Sequence, residues 1–111
     1  LNLNDTLELL DGDEFALKQL IDLFFADLGK HLQTLKTSAA EGTLDQLASV
    51  AHTVKGSVGV FNAAPAAEAA QAVEHAARKG DLERARSHLP ALLDALNSLA
   101  TELRKHSVAF R

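Results

Sequence analysis

His52, Lys55, Gly56 and Gly59 lie three, four and seven residues apart within the segment Ala51-His-Thr-Val-Lys-Gly-Ser-Val-Gly-Val-Phe-Asn-Ala63. On a helix that spacing puts them on one flank. A neutral imidazole nitrogen is a nucleophile able to attack phosphorus, and the product carries about two negative charges at neutral pH. Lys55, one turn further on, is placed to balance that charge. Gly56 at i+4 and Ala48 at i−4 flank the ring with almost no side chain, and Gly59 extends the clearing. A second protein would then have room to bring its own active site up to the ring, as in-line phosphoryl transfer requires. Glycine inside a helix is destabilising by roughly 1 kcal/mol relative to alanine, so two on one flank need a reason other than helix stability. A plainer reading stays open on the residues alone: surface histidines are commonly just solvated, and glycines near a helix end commonly serve packing.

The elements that must position these residues are legible as apolar stripes. Leu44, Leu47, Ala51, Val54, Val58 and Phe61 alternate steps of three and four, so they share one face of a helix. At 100° per residue the stripe centres near Ala51 and Val54, and His52 lies roughly 130° from that centre, facing water or a groove edge. This helix starts at Thr43, which with Gln46 makes a capping box, and should end near Asn62, a residue that tolerates the left-handed cap. Before it, Leu17, Ile21, Phe24, Leu28, Leu32 and Leu35 mark a helix over about 13–40. Asp11-Gly-Asp-Glu14 offers that helix a carboxylate version of the capping box, and Gly29 a place to bend. Leu3, Leu7 and Leu10 predict a short helix closing one end.

After Asn62, Pro65 suits a first helical turn, and Ala66, Ala69, Val73, Ala76 and Ala77 make a thin inward face that lets helix backbones approach closely. Gly80-Asp81 is a stop and a start. Leu82, Ala85, Leu89, Leu92, Leu96, Leu99 and Leu103 then form a last stripe to about His106, with a kink expected at Pro90. No run alternates as a half-buried strand and the connections are short. The expected fold is all-α: an antiparallel four-helix bundle with a short additional N-terminal helix, one domain over residues 1–111.

Composition narrows the function classes. Cysteine is absent, which removes disulfides, thiolate metal sites and cysteine nucleophiles. A formal net charge of -4 argues against a general nucleic-acid binder. No apolar stretch is long enough to span a membrane, and the start lacks the pattern of a signal peptide. The chain begins with Leu1 and contains no methionine, which reads as a processed chain or a piece of a longer one. Glu-x-x-His pairs of a carboxylate-bridged metal bundle are missing. Of the other histidines, His31 reads as partly buried and His75, His88 and His106 as solvated. Arg104, Lys105 and Arg111 read as the charge bias of a helix C-terminus.

His52-Thr-Val-Lys55-Gly56-Ser57, with Leu47 and Ala51 before it and an alanine-rich helix after Phe61-Asn62-Ala63, resembles the histidine-containing phosphotransfer (HPt) domain of bacterial two-component phosphorelays, of the kind found in hybrid sensor histidine kinases. The likeness runs on through Leu10-Asp-Gly-Asp-Glu14 and Ala77-Arg-Lys-Gly-Asp-Leu82 and covers nearly the whole chain. His-x-x-Lys-Gly alone is a weak pattern; inside this bundle pattern it is fairly specific. The resemblance implies that His52 is a phosphoacceptor, usually through Nε2, that Lys55 balances charge, and that Gly56 gives a partner room. Glu74 matches a Glu or Gln position that helps orient the histidine, beside the reading that it is an ordinary solvated glutamate. The motif commonly has glycine where this chain has Asn62, which bears on the local geometry of the turn.

The resemblance further implies response-regulator receiver domains as partners, which bring the aspartate and Mg²⁺. The chain itself would need no cofactor and no metal, would not be an enzyme, and would contact neither nucleic acid nor membrane. It would work in the cytoplasm, alone or as the cytoplasmic domain of a membrane-anchored sensor kinase, and as a monomer. Docking is expected on Ala48, His52, Lys55, Gly56 and Gly59 with nearby parts of the second and fourth helices. Two alternatives remain: an HPt segment at the front of a chemotaxis-type histidine kinase, and a helical adaptor without phosphochemistry.

Overall fold

The computed structural model describes residues 2–108, and the side chains of residues 2–106. Its elements are α1 (Asn4–Leu9), α2 (Glu14–Glu41), α3 (Leu44–Gly59), α4 (Ala64–Arg78) and α5 (Leu82–Val108). Arg111 lies outside the described residues. Among the described residues there is no strand, and no helix is long and apolar enough to cross a membrane. Helices α2, α3, α4 and α5 pack as a closed ring, each against the next and α5 back against α2, while α1 lies on α2. The bundle is a rod of 43 × 21 × 18 Å.

The stripes read from the sequence are the core. Leu17, Ile21 and Leu35 of α2, Leu47, Val54 and Val58 of α3, and Leu92, Leu96 and Leu103 of α5 are fully buried. Burying a side chain of this kind stabilises the fold by about 1.5–3 kcal/mol. Phe61, just beyond α3, is 1% exposed and meets Phe24 edge to face at 5.9 Å. It plugs the end of the bundle where α3 turns into α4. On α4 the buried alanines are Ala66, Ala70, Ala76 and Ala77, with Ala69 only partly covered.

Several local details differ from the sequence reading. The N-cap of α2 is Asp13, whose carboxylate accepts from the Ala16 N–H at 3.0 Å, and not Asp11, which takes a left-handed φ of 54° in the preceding turn. Thr43 makes no side-chain cap to the backbone of α3; its hydroxyl reaches back to the Ser38 carbonyl and across to Gln46. The tight α2–α3 turn at Gly42 (φ 74°) brings Thr43 back over that carbonyl, which also accepts from the N–H groups of Gly42 and Thr43. Helix α3 closes at Gly59, and Asn62 follows in the left-handed region at φ 56°. Helix α5 runs through Pro90, as its single stripe required, and ends two residues past His106. His88 and His106 are half-buried rather than solvated, and His75 is exposed.

Helix α1 does more than cover an end. The Thr6 hydroxyl donates to the Val60 carbonyl at 2.7 Å, and Asn62 Nδ2 donates to Asp5 at 3.3 Å. Both bonds tie the first helix to the turn that ends α3. In the same way Arg86 of α5 caps the last carbonyls of α2, at Ala39 and Ala40.

Candidate functional site

The site forms where the flank of α3 meets α4. His52 is exposed, with 62% of its side chain open to solvent, because it sits off the edge of the α3 core stripe. One wall of its surroundings comes from Glu74, in the middle of α4. Glu74 is 8% exposed, and its carboxylate collects the nearby cations. His52 Nδ1 lies 3.0 Å from Glu74 Oε2, Lys55 Nζ lies 3.3 Å from Oε1, and Arg78 approaches Oε2 through Nε and Nη2, each at 2.9 Å. The sequence spacing therefore joins His52 and Lys55 as expected, and the fold adds Glu74 to them.

A carboxyl group this deep is pushed toward its neutral form by loss of water. That effect is outweighed by the hydrogen bonds from Arg78 and Lys55 and by the charges of Lys55 and His52, so the Glu74 pKa is held below its ordinary value. Glu74 is thus ionised at neutral pH, and an ionised carboxylate only accepts hydrogen bonds. It follows that Nδ1 of a neutral His52 carries the proton and that Nε2 holds the free lone pair. The nucleophilic nitrogen is the one away from Glu74.

Gly56 and Gly59 are exposed on α3, and a Cβ built at either would meet nothing within 4 Å. Their lack of a side chain therefore answers no packing demand inside this chain. Ala48 requires a correction: expected on the open flank, it is 3% exposed and belongs to the core. Helical phase alone put it beside His52, but the bundle closes over this part of α3, which packs most extensively against the alanine-rich α4. Ala48 thus serves the core and offers no surface to a partner.

On the other side of α3, Thr53, Ser57 and Val60 face Leu20, Leu23 and His31 of α2 across a shallow crevice. Leu23 is 59% and Val60 42% exposed, so this side of the flank is partly apolar. A larger crevice, of about 460 Å³, lies elsewhere, lined among others by Pro65, Ala66, Ala95 and Leu99, and contains none of the residues grouped around His52.

A family model, described as Hpt domain, matches residues 19–104 of the 111. The chain belongs to the Hpt domain family. No curated protein and no solved structure gives a significant match. Hpt domains are phosphotransfer carriers of two-component signalling that interact with response-regulator receiver domains, and the all-α bundle is the architecture expected of one. The match begins inside α2, so α1 and the Asp13 cap lie ahead of it.

Sequence reasoning missed Arg78 in this Hpt domain. Its signal was present: Arg78 is four residues beyond Glu74, the spacing at which a carboxylate and a guanidinium meet on one helix. On an exposed face that pair is commonplace. It gains meaning only because α4 turns Glu74 under the histidine.

Proposed function

We propose that this Hpt domain is a phosphorelay intermediate in which His52 accepts a phosphoryl group from the aspartate of one receiver domain and passes it to the aspartate of another. In the first step Nε2 forms the N–P bond as the P–O bond of the aspartyl phosphate breaks, and the electron pair of that bond returns to the aspartate carboxylate. The ring keeps its Nδ1 proton and becomes positively charged. Glu74 Oε2, already facing that proton, stabilises the charge in place. Lys55 is near enough to turn toward the arriving phosphoryl oxygens.

The observation that carries this reading is the pairing of an exposed imidazole with a buried carboxylate 3.0 Å from its inner nitrogen. The clearance at Gly56 and Gly59 and the apolar residues Leu23 and Val60 support a docking face along the outer flank of α3 and the adjoining side of α2. The receiver would bring the reacting aspartate and its Mg²⁺, and this chain no cofactor of its own.

The test is incubation with phosphorylated receiver domains, followed by assay for an acid-labile, base-stable phosphoryl group. Wild-type protein should acquire it and His52→Gln should not. Uptake by His52→Gln would refute the assignment. Binding of a receiver with no phosphoryl transfer would favour an adaptor.

A further inference from the structure

Glu74 faces His52, but a glutamate side chain has three free torsions and, left to itself, orders only at a cost of about 1.5–2 kcal/mol in rotamer entropy. Two groups hold its carboxylate. Lys55 reaches Oε1 at 3.3 Å from a flexible stem and acts as a point charge without strong direction. Arg78 presents a planar fork, and both Nε and Nη2 close on Oε2 at 2.9 Å, the same oxygen that faces His52 Nδ1. The two anchors differ in kind. With Lys55 alone, the carboxylate is free to swing toward the ammonium and draw Oε2 away from the ring.

We propose that Arg78 is a positioning residue, which fixes the Glu74 carboxylate so that Oε2 receives the Nδ1 proton of His52 and the Nε2 lone pair faces outward. The proposal rests on the phosphoacceptor reading above. An imidazole without a fixed partner distributes its proton between both nitrogens, and the form protonated at Nε2 has no lone pair where the phosphoryl group must arrive. Arg78 thereby sets the reactive fraction of His52 without touching phosphorus. It also offsets part of the Glu74 charge. Its place as the last residue of α4 is favourable for a cation, since the C-terminal end of a helix carries partial negative charge. Its side chain is 57% exposed, so shortening it opens no cavity in the core.

The experiment uses the whole chain, labelled with ¹⁵N, as wild type, Arg78→Ala and Arg78→Lys. The ¹⁵N shifts of the His52 ring at neutral pH report the tautomer, and the initial rate of phosphoryl uptake from a phosphorylated receiver reports the consequence. Wild type should show the Nδ1-protonated form. Arg78→Ala should show a mixture and a rate lower by roughly three- to tenfold, as expected for weakening one charge-assisted hydrogen bond. Arg78→Lys should recover only part of both. Arg78→Ala should lower the thermal midpoint by a few degrees, since it takes one partner from a buried carboxylate that Lys55 still pairs, so both readouts are taken well below that midpoint. An Nε2-protonated wild type, or an Arg78→Ala protein with unchanged tautomer and rate, would overturn the proposal. If the tautomer shifts as described while the wild type takes up no phosphoryl group, the positioning role stands and the phosphoacceptor reading fails.

Discussion

Lys55 Nζ lies 3.3 Å from Glu74 Oε1, so the cation supplied by the His-x-x-Lys spacing is already paired before any phosphoryl group arrives. Its side chain is 35% exposed and its head can turn outward. In the proposed relay, phosphorylation at Nε2 would let the ammonium exchange one anionic oxygen for another while Arg78 stays with the carboxylate.

Lys55→Ala should therefore lower the rate of phosphoryl uptake by about three- to tenfold and leave the fold intact, as expected for one partly exposed charge contact. The residual rate should also depend less on salt, because one screened attraction has gone. Stopped transfer assays at two ionic strengths check both points. A full loss of uptake would mean that Lys55 has a larger part than charge balance.

The depressed pKa of Glu74 fixes the sign of a pH effect. A carboxylate whose pKa is lower folded than unfolded contributes stability that is present above the unfolded value, about 4.3, and lost as the pH falls through the lower folded value. Glu74→Gln should be less stable than wild type at about pH 5, and the difference should narrow as the pH falls below about 4.3 and through the lower folded pKa. Denaturant melts of both proteins across that range measure it; a difference that grows on acidification below about pH 4 would contradict the ion-pair account.

The glycines on α3 give a test in which stability and function part ways. Because a Cβ at Gly56 meets nothing within 4 Å, Gly56→Ala should raise stability by about 0.5–1 kcal/mol. Gly56→Gln should also stabilise, yet slow transfer from a receiver by about tenfold or more, since its long side chain occupies the approach to His52. Gly29→Gln, in equally open space on α2, is the control and should leave transfer unchanged.

The Thr6 hydroxyl supports the turn after α3 through the Val60 carbonyl. Thr6→Val keeps the shape and removes the donor, and should cost about 1–3 kcal/mol. Hydrogen exchange should quicken first at the amides of Phe61 and Asn62, while the middle of α3 stays protected. Uniform loss of protection would indicate that α1 supports the whole bundle.

The helices were readable because their apolar residues keep a period near 3.6 without interruption: all six of the Leu44-to-Phe61 stripe lie on the packed side, Leu44 only partly covered. Boundaries were less so. Asp11 and Asp13 are the same residue type two apart, and the backbone conformation that decides between them is set by the turn at Asp11 and Gly12. Ala48 was misplaced because helical phase gives the direction of a side chain but not the width of the neighbour covering it. His52, Lys55 and Gly56 are neighbours along one helix, so their grouping is local and visible in the spacing. Arg78 joins them only through the α3–α4 contact, and the Asp5–Asn62 bond spans almost the whole of three helices; long-range contacts of this kind leave no mark in a single sequence.

Anyone trimming this protein to the family-matching span of residues 19–104 would remove Thr6, Asp5 and the Asp13 cap together. Every residue around His52 would survive the cut, yet the Val60 carbonyl and the Asn62 amide would lose their partners. Such a fragment would keep the cluster of His52, Lys55, Glu74 and Arg78 on a helix with a loosened end, so its stability would understate that of the chain that begins before Asp5.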